Sequence, residues 1–496
     1  MRAPHERFQS EWSFVLAALG IALGTGNVWR FPRIIAQEGG VFLIPWCVCL
    51  VCFCYPLLLG EVALGQRVRL GLVGAFANLG NRRHAWIGTF LAIATLGTLC
   101  YVAVVCGWCF RYFVQSLSQE LFASPLSGQI YYHQIEWRRF AGTWSAVPYQ
   151  VVALALAWTA VSRGVRGGIE RLHRVAVPLI FSILFVLAIH SVTLTGVAAG
   201  LGRVFGIQWS RLLEPHLWYR GLLQAVGTTA AGFGWMLTYA GSMPPGTRRS
   251  RAVARVIAGC AVASLLATVA LVPLAYGSEI PDAVRRNLVS KAGGFVFVWV
   301  PTLLARVAWG PVLAILLYGA LTLATVLTLV AQLETVSRIG IDLGAERVRI
   351  VSGLTLLAVI LGLPAVLRMG ALDAESWICE SLLLVGAALM GYAITRYGAA
   401  RLYQEVFARE DRPGLSQRLF RSFFGFWAPL GTAALLAGQA LSTLGTSSAA
   451  GVAAFDPTGL GTLALGAVAV ALFARWFTPE LVSRTFAHQI APPPRA

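Results

Sequence analysis

The chain has 496 residues, of which 57% are hydrophobic and only 12% are charged, and its mean hydropathy is +0.71. Soluble globular proteins carry about 25% charged residues, so this composition excludes an ordinary soluble enzyme, and its hydrophobicity excludes a disordered chain. The net charge of +18 does not indicate a nucleic-acid partner, because the basic residues stand mainly in alternate short connections between apolar runs. The composition therefore predicts a multi-pass protein in a lipid bilayer.

Twelve apolar runs can each cross a membrane as a helix. The predicted spans are 13–33, 41–64, 87–115, 147–162, 173–196, 219–241, 253–276, 309–339, 349–369, 377–397, 423–441 and 459–477. The long connection 277–308 is apolar enough to predict a helical hairpin packed over an outer vestibule. An even number of spans places both termini on one side, and the basic connections favour cytoplasmic termini, with the protein in the cell membrane.

Two of these spans are interrupted at corresponding places. Span 1 carries the run Gly-Thr-Gly-Asn at residues 24–27, and span 6 carries Ala-Gly-Phe-Gly at residues 231–234. Unwound backbone at membrane depth is tolerated only where it lines a cavity or is buried in protein. Interrupted spans at matching positions of two five-helix halves are typical of inverted-repeat transporters, in which the binding site lies at the breaks.

The break in span 1 offers polar groups suited to ions. A broken helix exposes amide N–H groups and the positive end of a helix dipole, so the backbone near Thr25 and Gly26 predicts an anion site, most simply for a carboxylate. Carbonyl groups near Ala22 and the amide oxygen of Asn27 suit a small hard cation. The alternative is that the glycines only allow close helix packing. Asn27 and Arg30 in the same apolar run favour a functional site.

Several motifs carry a family resemblance. Residues 24–32 read GTGNVWRFP, residues 39–45 read GGVFLIP, and residues 61–66 read EVALGQ. Further matches are GVRGGIER at 164–171, Gln224, Thr228 and residues 232–234 in span 6, and GGFVFVWVP at 293–301. From about residue 8 to residue 345 the chain resembles the neurotransmitter:sodium symporter family.

That resemblance implies an all-α fold of about 12 transmembrane helices, with a 5+5 inverted-repeat core in which helices 1 and 6 are broken. A single transporter domain would fill residues 1–496, with core repeats at about 10–200 and 215–400. Two extra helices would lie at about 420–480, and a disordered tail at about 488–496. The implied function is sodium-coupled symport of a small zwitterionic substrate, most simply a neutral amino acid, by alternating access and without enzymatic activity.

The resemblance also implies the residues of the site. Substrate contacts are expected from Ala22, Gly24, Thr25, Gly26, Tyr101, Val102, Gly227, Thr228, Ala230, Phe233 and Thr328. One sodium site would use Gly20, Leu23, Ala324 and Thr328, and a second would use Ala22, Asn27 and Thr228. The outer gate would pair Arg30 with Glu375, and the inner gate would pair Asp342 with Arg7. Glu61, a carboxylate inside an apolar span, is expected to hold backbone N–H groups freed at the breaks.

Departures from the family pattern leave alternatives open. Gly227 and Ala230 stand where larger side chains are common, which predicts a wider pocket, and Leu327 stands where a hydroxyl is expected. Arg251 occupies the apparent position of a sodium-binding asparagine. The first alternative is therefore a sodium-independent transporter or exchanger of amino acids or amines, in which Arg251 or Arg255 supplies the positive charge.

The remaining alternatives are a channel and a sensor. A channel would need a continuous polar stripe along several helices, and a sensor would need an added signalling domain, so the sequence favours neither. The resemblance leaves open whether one or two sodium ions are used, whether chloride is required, and whether the protein is a monomer or a homodimer. No metal site other than sodium is expected.

Overall fold

The computed structural model describes residues 6–24, 26–79, 82–194, 197–276, 294–407, 415–427 and 460–490. Within these ranges the chain forms helices joined by short connections, and it forms no strand. The all-α fold predicted from the sequence is therefore confirmed.

The helices are named in chain order. α1 (Glu11–Ala22) and α2 (Gly26–Glu38) form the first span, followed by α3 (Gly40–Val68) and the short α4 (Leu72–Ala77). Next come α5 (Ala85–Leu117), α6 (Ile130–Phe140), α7 (Trp144–Ser162), α8 (Val165–Val192) and α9 (Val197–Phe205). α10 (Pro215–Thr229) and α11 (Trp235–Ala240) form the sixth span, and α12 (Arg249–Tyr276) the seventh. The others are α13 (Phe295–Leu304), α14 (Gly310–Asp342), α15 (Arg347–Leu367), α16 (Met369–Tyr397), α17 (Ala399–Phe407), α18 (Leu415–Ser422) and α19 (Leu460–Ile490).

Among the described residues, eight helices are long and apolar enough to cross a membrane: α3, α5, α7, α8, α12, α14, α15 and α16. The pair α1 and α2 makes a ninth span, bent by 57° at its break. These nine match predicted spans 1 to 5 and 7 to 10, and α19 covers predicted span 12. Most of predicted span 11, and residues 277–293 of the predicted hairpin, lie outside the described residues. The boundaries of the repeats and of the single domain stay predictions.

Both predicted breaks are present. α1 begins after Ser10, whose hydroxyl accepts a hydrogen bond from the backbone nitrogen of Ser13 at 3.1 Å, and it ends at Ala22. In the sixth span the helix stops at Thr229. Three residues of the gap that follows have left-handed backbone, with φ of 54° at Ala230, 87° at Gly232 and 80° at Gly234. Ala230 is the C-cap of the first half-helix and Gly234 the N-cap of the next, and glycine adopts this left-handed region at Gly232 and Gly234 without the cost that alanine has.

Glu61 on α3 binds the backbone at the second break. Its carboxylate is fully buried and accepts hydrogen bonds from the backbone nitrogens of Gly232, at 2.5 Å, and Leu237, at 3.1 Å. Leu237 lies in the first turn of α11, where N–H groups have no partner within the helix. The expectation that Glu61 holds backbone groups freed at a break is confirmed.

The long helices α5 and α14 pack against each other and are largely buried. α7, α8 and α15 instead expose much of their surface, including large apolar side chains such as Phe185 on α8 and Leu356 on α15. Broad apolar surfaces of this kind are expected where helices face lipid. The interior therefore forms around α5 and α14, next to the broken spans.

Three arginines hold the C-terminal end of α2. Arg203 donates to the carbonyl oxygen of Ala36 at 3.0 Å. Arg211 donates to both the carbonyl and a carboxylate oxygen of Glu38, each at 2.6 Å, and Arg220 of α10 forms an ion pair with the same carboxylate. Basic groups at this end of a helix satisfy its free carbonyl oxygens and oppose the negative end of its dipole. We call this set the arginine clamp.

Candidate functional site

A cavity of about 450 Å³ lies where the two broken spans meet α5, α14 and α16. The predicted substrate residues that line it are Ala22, Gly24, Gly26, Tyr101, Val102, Gly227, Ala230, Phe233 and Thr328. Thr25 lies outside the described residues, and Thr228 does not line this cavity. The deep end is formed by the buried residues Ile21, Thr98 and Gln332, and the mouth by Arg30, Arg33, Asp373 and Trp377. One continuous space thus joins both breaks to the mouth.

The two breaks are in close contact through Gly26 and Gly227. A Cβ atom on Gly26 would lie 2.9 Å from the carbonyl oxygen of Gly227, so the approach of the two backbones requires a glycine there. Gln224 donates through its side-chain nitrogen to the carbonyl oxygen of Gly26 at 2.8 Å and to the hydroxyl of Thr228 at 3.1 Å. A Cβ on Gly227 would meet no atom within 4 Å. The free space beside Gly227 therefore belongs to the cavity.

Asn27 has a buried acceptor without a partner among the described residues. Its side chain is fully buried, and its amide nitrogen donates to the carbonyl oxygen of Ala22 at 3.1 Å. Its amide oxygen has no partner among the described residues. A buried oxygen without a donor is costly unless something supplies positive charge. This oxygen, with the Ala22 carbonyl beside the same amide, suits a cation of the sodium type; Thr228 stays a further expected ligand.

Thr328, the expected side-chain ligand of the other cation site, lies against the first break. The hydroxyl of Thr328 donates to the carbonyl oxygen of Ala324 at 3.2 Å, and a Cβ on Gly24 would overlap that hydroxyl. A Cβ on Gly20 would lie 3.3 Å from Leu327, whose apolar side chain replaces a possible oxygen ligand. Thr328 is the one side-chain oxygen among the expected ligands, and the backbone carbonyls of Gly20, Leu23 and Ala324 stay the other expected ligands.

His173 of α8 is a site residue that no predicted motif includes. Its ring lies against Gly20. Its ring is fully buried, and Nδ1 lies 2.7 Å from the carbonyl oxygen of Ile169. That contact requires Nδ1 to carry a proton, which leaves Nε2 as an acceptor. Nε2 has no partner among the described residues, and a Cβ on Gly20 would overlap the ring. A histidine inside an apolar span was the signal that could have identified this residue.

The expected partner of Arg30 was wrong. Arg30 forms its ion pair with Glu380 of α16, at 3.0 Å, and Glu380 also accepts a hydrogen bond from the hydroxyl of Tyr101, at 3.2 Å. Glu375, the predicted partner, lies five residues earlier on the same helix. With 3.6 residues per turn, five residues bring the side chain to a different face. Tyr101 thus lines the cavity and also bonds to the acid at its mouth.

The expected inner ion pair between Arg7 and Asp342 is also absent from the described residues. The carboxylate of Asp342 pairs with Arg338, one turn earlier on α14, at 3.0 Å. It also accepts from the backbone nitrogen of Gly71 at 2.6 Å. Both carboxylate oxygens of Asp342 are therefore already bound, one by Arg338 and the other by the backbone of Gly71. The carbonyl oxygen of Arg7 accepts from the side chain of Arg166 at 2.7 Å.

The N-terminal segment is instead attached to the start of α8. Glu6 accepts a hydrogen bond from the backbone nitrogen of Val165, and the backbone nitrogen of Gln9 donates to Glu170 at 3.1 Å. The backbone nitrogen of Phe8 donates to the carbonyl oxygen of Ser242 at 3.0 Å. The glycine-rich motif at 164–171 is thus the surface that receives residues 6–9.

Arg251 and Arg255 do not reach the breaks. Both residues are exposed at the start of α12. Arg255 forms an ion pair with Glu11 and lies over the ring of Trp12, 4.9 Å from its centroid. The alternative in which one of these arginines replaces a sodium ion in the core therefore has no support in the geometry.

Comparisons with known proteins agree with this arrangement. An uncharacterized sodium-dependent transporter of Methanocaldococcus jannaschii is 26% identical over 337 residues, which is 66% of this chain and 68% of the relative. An uncharacterized sodium-dependent transporter of Bacillus subtilis is 26% identical over 370 residues, which is 74% of this chain and 80% of the relative. A sodium-dependent neutral amino acid transporter of Homo sapiens is 27% identical over 261 residues, covering 47% of this chain and 35% of the relative.

The fold itself matches a solved structure. The crystal structure of MhsT in complex with L-phenylalanine superposes with a TM-score of 0.75 at 24% identity, covering 87% of this chain and 99% of MhsT. The model of the sodium:neurotransmitter symporter family matches residues 5–128 and 141–439. With the broken first and sixth spans meeting at one cavity, this match over most of the chain shows that the protein belongs to the sodium:neurotransmitter symporter family.

Proposed function

We propose that this chain is a sodium-coupled symporter of small zwitterionic substrates, chiefly neutral amino acids, that works by alternating access with both termini in the cytoplasm. The observation that carries the proposal is the meeting of both helix breaks at a single cavity. Such a cavity presents free backbone groups of both polarities within a short distance, which is what a zwitterion requires.

The substrate carboxylate would bind at the start of α2, beside Gly26, where the positive end of the helix dipole faces the cavity. The ammonium group would meet carbonyl oxygens at the ends of α1 and α10, where the helices stop. Val102 and Phe233 supply apolar wall for the substrate side chain, and the space beside Gly227 adds room. The names of the human relative and of the MhsT complex support amino acids as the substrate class.

Two sodium ions fit the arrangement better than one. The orphaned oxygen of Asn27 supports one ion, and the group around Thr328 supports the other. A guanidinium in the core would repel the first ion, but Arg251 is exposed. Both sodium ions would be released with the substrate to the same side.

Uptake by protein reconstituted in liposomes tests this proposal directly. A sodium gradient should drive accumulation of radiolabelled neutral amino acids, and a potassium gradient should not. Sodium titration of substrate binding should give a Hill coefficient near two. Accumulation that is independent of sodium would refute the coupling and favour the exchanger, and a coefficient near one would refute the second ion.

A matched pair of variants locates the ion at Thr328. Thr328→Ala removes the side-chain oxygen of the site and should raise the sodium concentration for half-maximal binding by about tenfold, the effect of losing about 1.4 kcal/mol. Thr335→Ala is the control, because Thr335 lies on the same helix and also donates to a carbonyl one turn earlier, Ala331, at 2.8 Å. Thr335 does not line the cavity. Equal sodium dependence in the two variants would contradict the assignment.

A further inference from the structure

We propose that Gln332 of α14 selects the substrate by its side chain, and that preferred substrates carry an amide or another hydrogen-bonding group there. This inference rests on the proposed function, since it names the class of amino acid that the same cavity accepts. It concerns a residue at the deep end of the cavity, away from the helix breaks that would hold the carboxylate and ammonium groups.

Gln332 is a buried amide with no partner. Its side chain is fully buried and lines the cavity. Neither its amide oxygen nor its amide nitrogen has a hydrogen-bond partner among the described residues. Buried polar groups in proteins are nearly always hydrogen-bonded, so an exception at a binding cavity points to a ligand or to trapped water.

The position of Gln332 places it within reach of a bound substrate. It lies one helical turn after Thr328, so both side chains are on the same face of α14. Thr328 lies against the first break, because a Cβ on Gly24 would overlap its hydroxyl. A substrate anchored at that break can therefore extend its side chain past Thr328 toward Gln332.

Two other polar side chains that line the cavity, those of Thr98 and Trp235, are already engaged as donors. Thr98 donates its hydroxyl hydrogen to the carbonyl oxygen of Ala94 at 2.8 Å, and the indole nitrogen of Trp235 donates to Thr95 at 3.1 Å. The amide oxygen of Gln332 therefore needs a donor that the described residues do not supply. A substrate amide offers both a donor and an acceptor and can pair with both atoms of Gln332.

An apolar side chain of the same size would leave both atoms of Gln332 unpaired and displace any water bound to them. Sites that hydrogen-bond a substrate group discriminate strongly against an analogue that lacks it, because the group in the site is left without a partner. L-Glutamine and L-norleucine have side chains of similar length and differ in this respect. We expect the protein to bind L-glutamine at least about tenfold more tightly than L-norleucine.

Competition binding on the full-length wild-type protein tests this expectation without any variant. Radiolabelled substrate is displaced with L-glutamine or L-norleucine at saturating sodium. Tighter binding of L-glutamine supports the inference. Equal binding, or tighter binding of L-norleucine, overturns it while leaving the proposed function intact. If the protein binds no amino acid in the presence of sodium, both the proposed function and this inference fail.

A variant then assigns the preference to Gln332. Gln332→Met keeps the length of the side chain and removes both hydrogen-bonding groups, and it should reduce the preference for L-glutamine over L-norleucine by about tenfold. Gln150→Met is the matched control, because Gln150 of α7 is also fully buried with both amide atoms unpartnered, and it does not line the cavity. A preference unchanged in Gln332→Met, or lost equally in both variants, overturns the inference.

Discussion

Replacing Glu61 with glutamine tests the buried carboxylate that joins α3 to the break in the sixth span. In the native chain its oxygens accept hydrogen bonds from the backbone nitrogens of Gly232 and Leu237, at 2.5 and 3.1 Å. Glutamine keeps one oxygen but replaces the other with an amide nitrogen, which is itself a donor. One of the two backbone N–H groups would then face another donor in a fully buried site.

The magnitude follows from the loss of one charge-assisted hydrogen bond in a buried site. A hydrogen bond to a charged group contributes about 1.5–3 kcal/mol, and a buried donor left without a partner costs about 1–3 kcal/mol. Both ranges describe the loss of the same hydrogen bond, so they are not added together. We expect Glu61→Gln to lower the free energy of unfolding by about 1.5–3 kcal/mol.

Thermal unfolding of the purified protein in detergent, followed by the loss of the monodisperse peak on size exclusion, measures the effect. Glu375→Gln is the control, because it makes the same chemical change on α16. Among the described residues, the Glu375 carboxylate has neither an ion pair nor a hydrogen bond. Glu61→Gln should melt several degrees below the control. Equal melting temperatures would show that the Glu61 carboxylate does not stabilise the break.

Three further substitutions test the cavity. Gly227→Phe should exclude large amino acids before small ones, because its ring would enter free space. Equal relative affinities for a size series of competing amino acids would contradict this. Gly26→Val should abolish substrate binding in a scintillation proximity assay, since a Cβ there would lie 2.9 Å from the carbonyl oxygen of Gly227. The variant should still fold, and normal substrate binding would place the site elsewhere. Glu380→Gln should raise the substrate dissociation rate by about two- to fivefold, because its partly exposed ion pair with Arg30 contributes up to about 1 kcal/mol; Glu375→Gln should not.

The breaks were predictable because their signals are local. Clustered glycines inside an apolar span, and a carboxylate such as Glu61 inside another, each carry a physical requirement that one sequence reveals. Most of the predicted spans were found at the expected places for the same reason, since a run of apolar residues long enough to cross a bilayer needs no partner to be recognised.

The ion pairs were not predictable in the same way. Which acid of α16 meets Arg30 depends on the rotation and the position of that helix along its axis, because Glu375 and Glu380 are about 140° apart around it and about 7.5 Å apart along it. Asp342 was assigned a distant partner although Arg338, four residues earlier, was available on the same helix face. A glutamine such as Gln332 inside an apolar run was a signal of its own, but only the structure shows that its amide lacks a partner.

The arginine clamp has a consequence for how the two interrupted spans can move. Arg211 and Arg220 bind the same Glu38 carboxylate, and Arg220 belongs to α10. α2 and α10, one segment of each interrupted span, are thus joined at the ends away from the breaks, and a tilt of one carries the other with it. The points left for rotation are the unwound residues at the cavity. Substrate and ions would therefore bind at the unwound residues about which the two segments rotate. Binding at the cavity and the angle of α2 and α10 would thus be coupled directly, with no other part of the molecule between them.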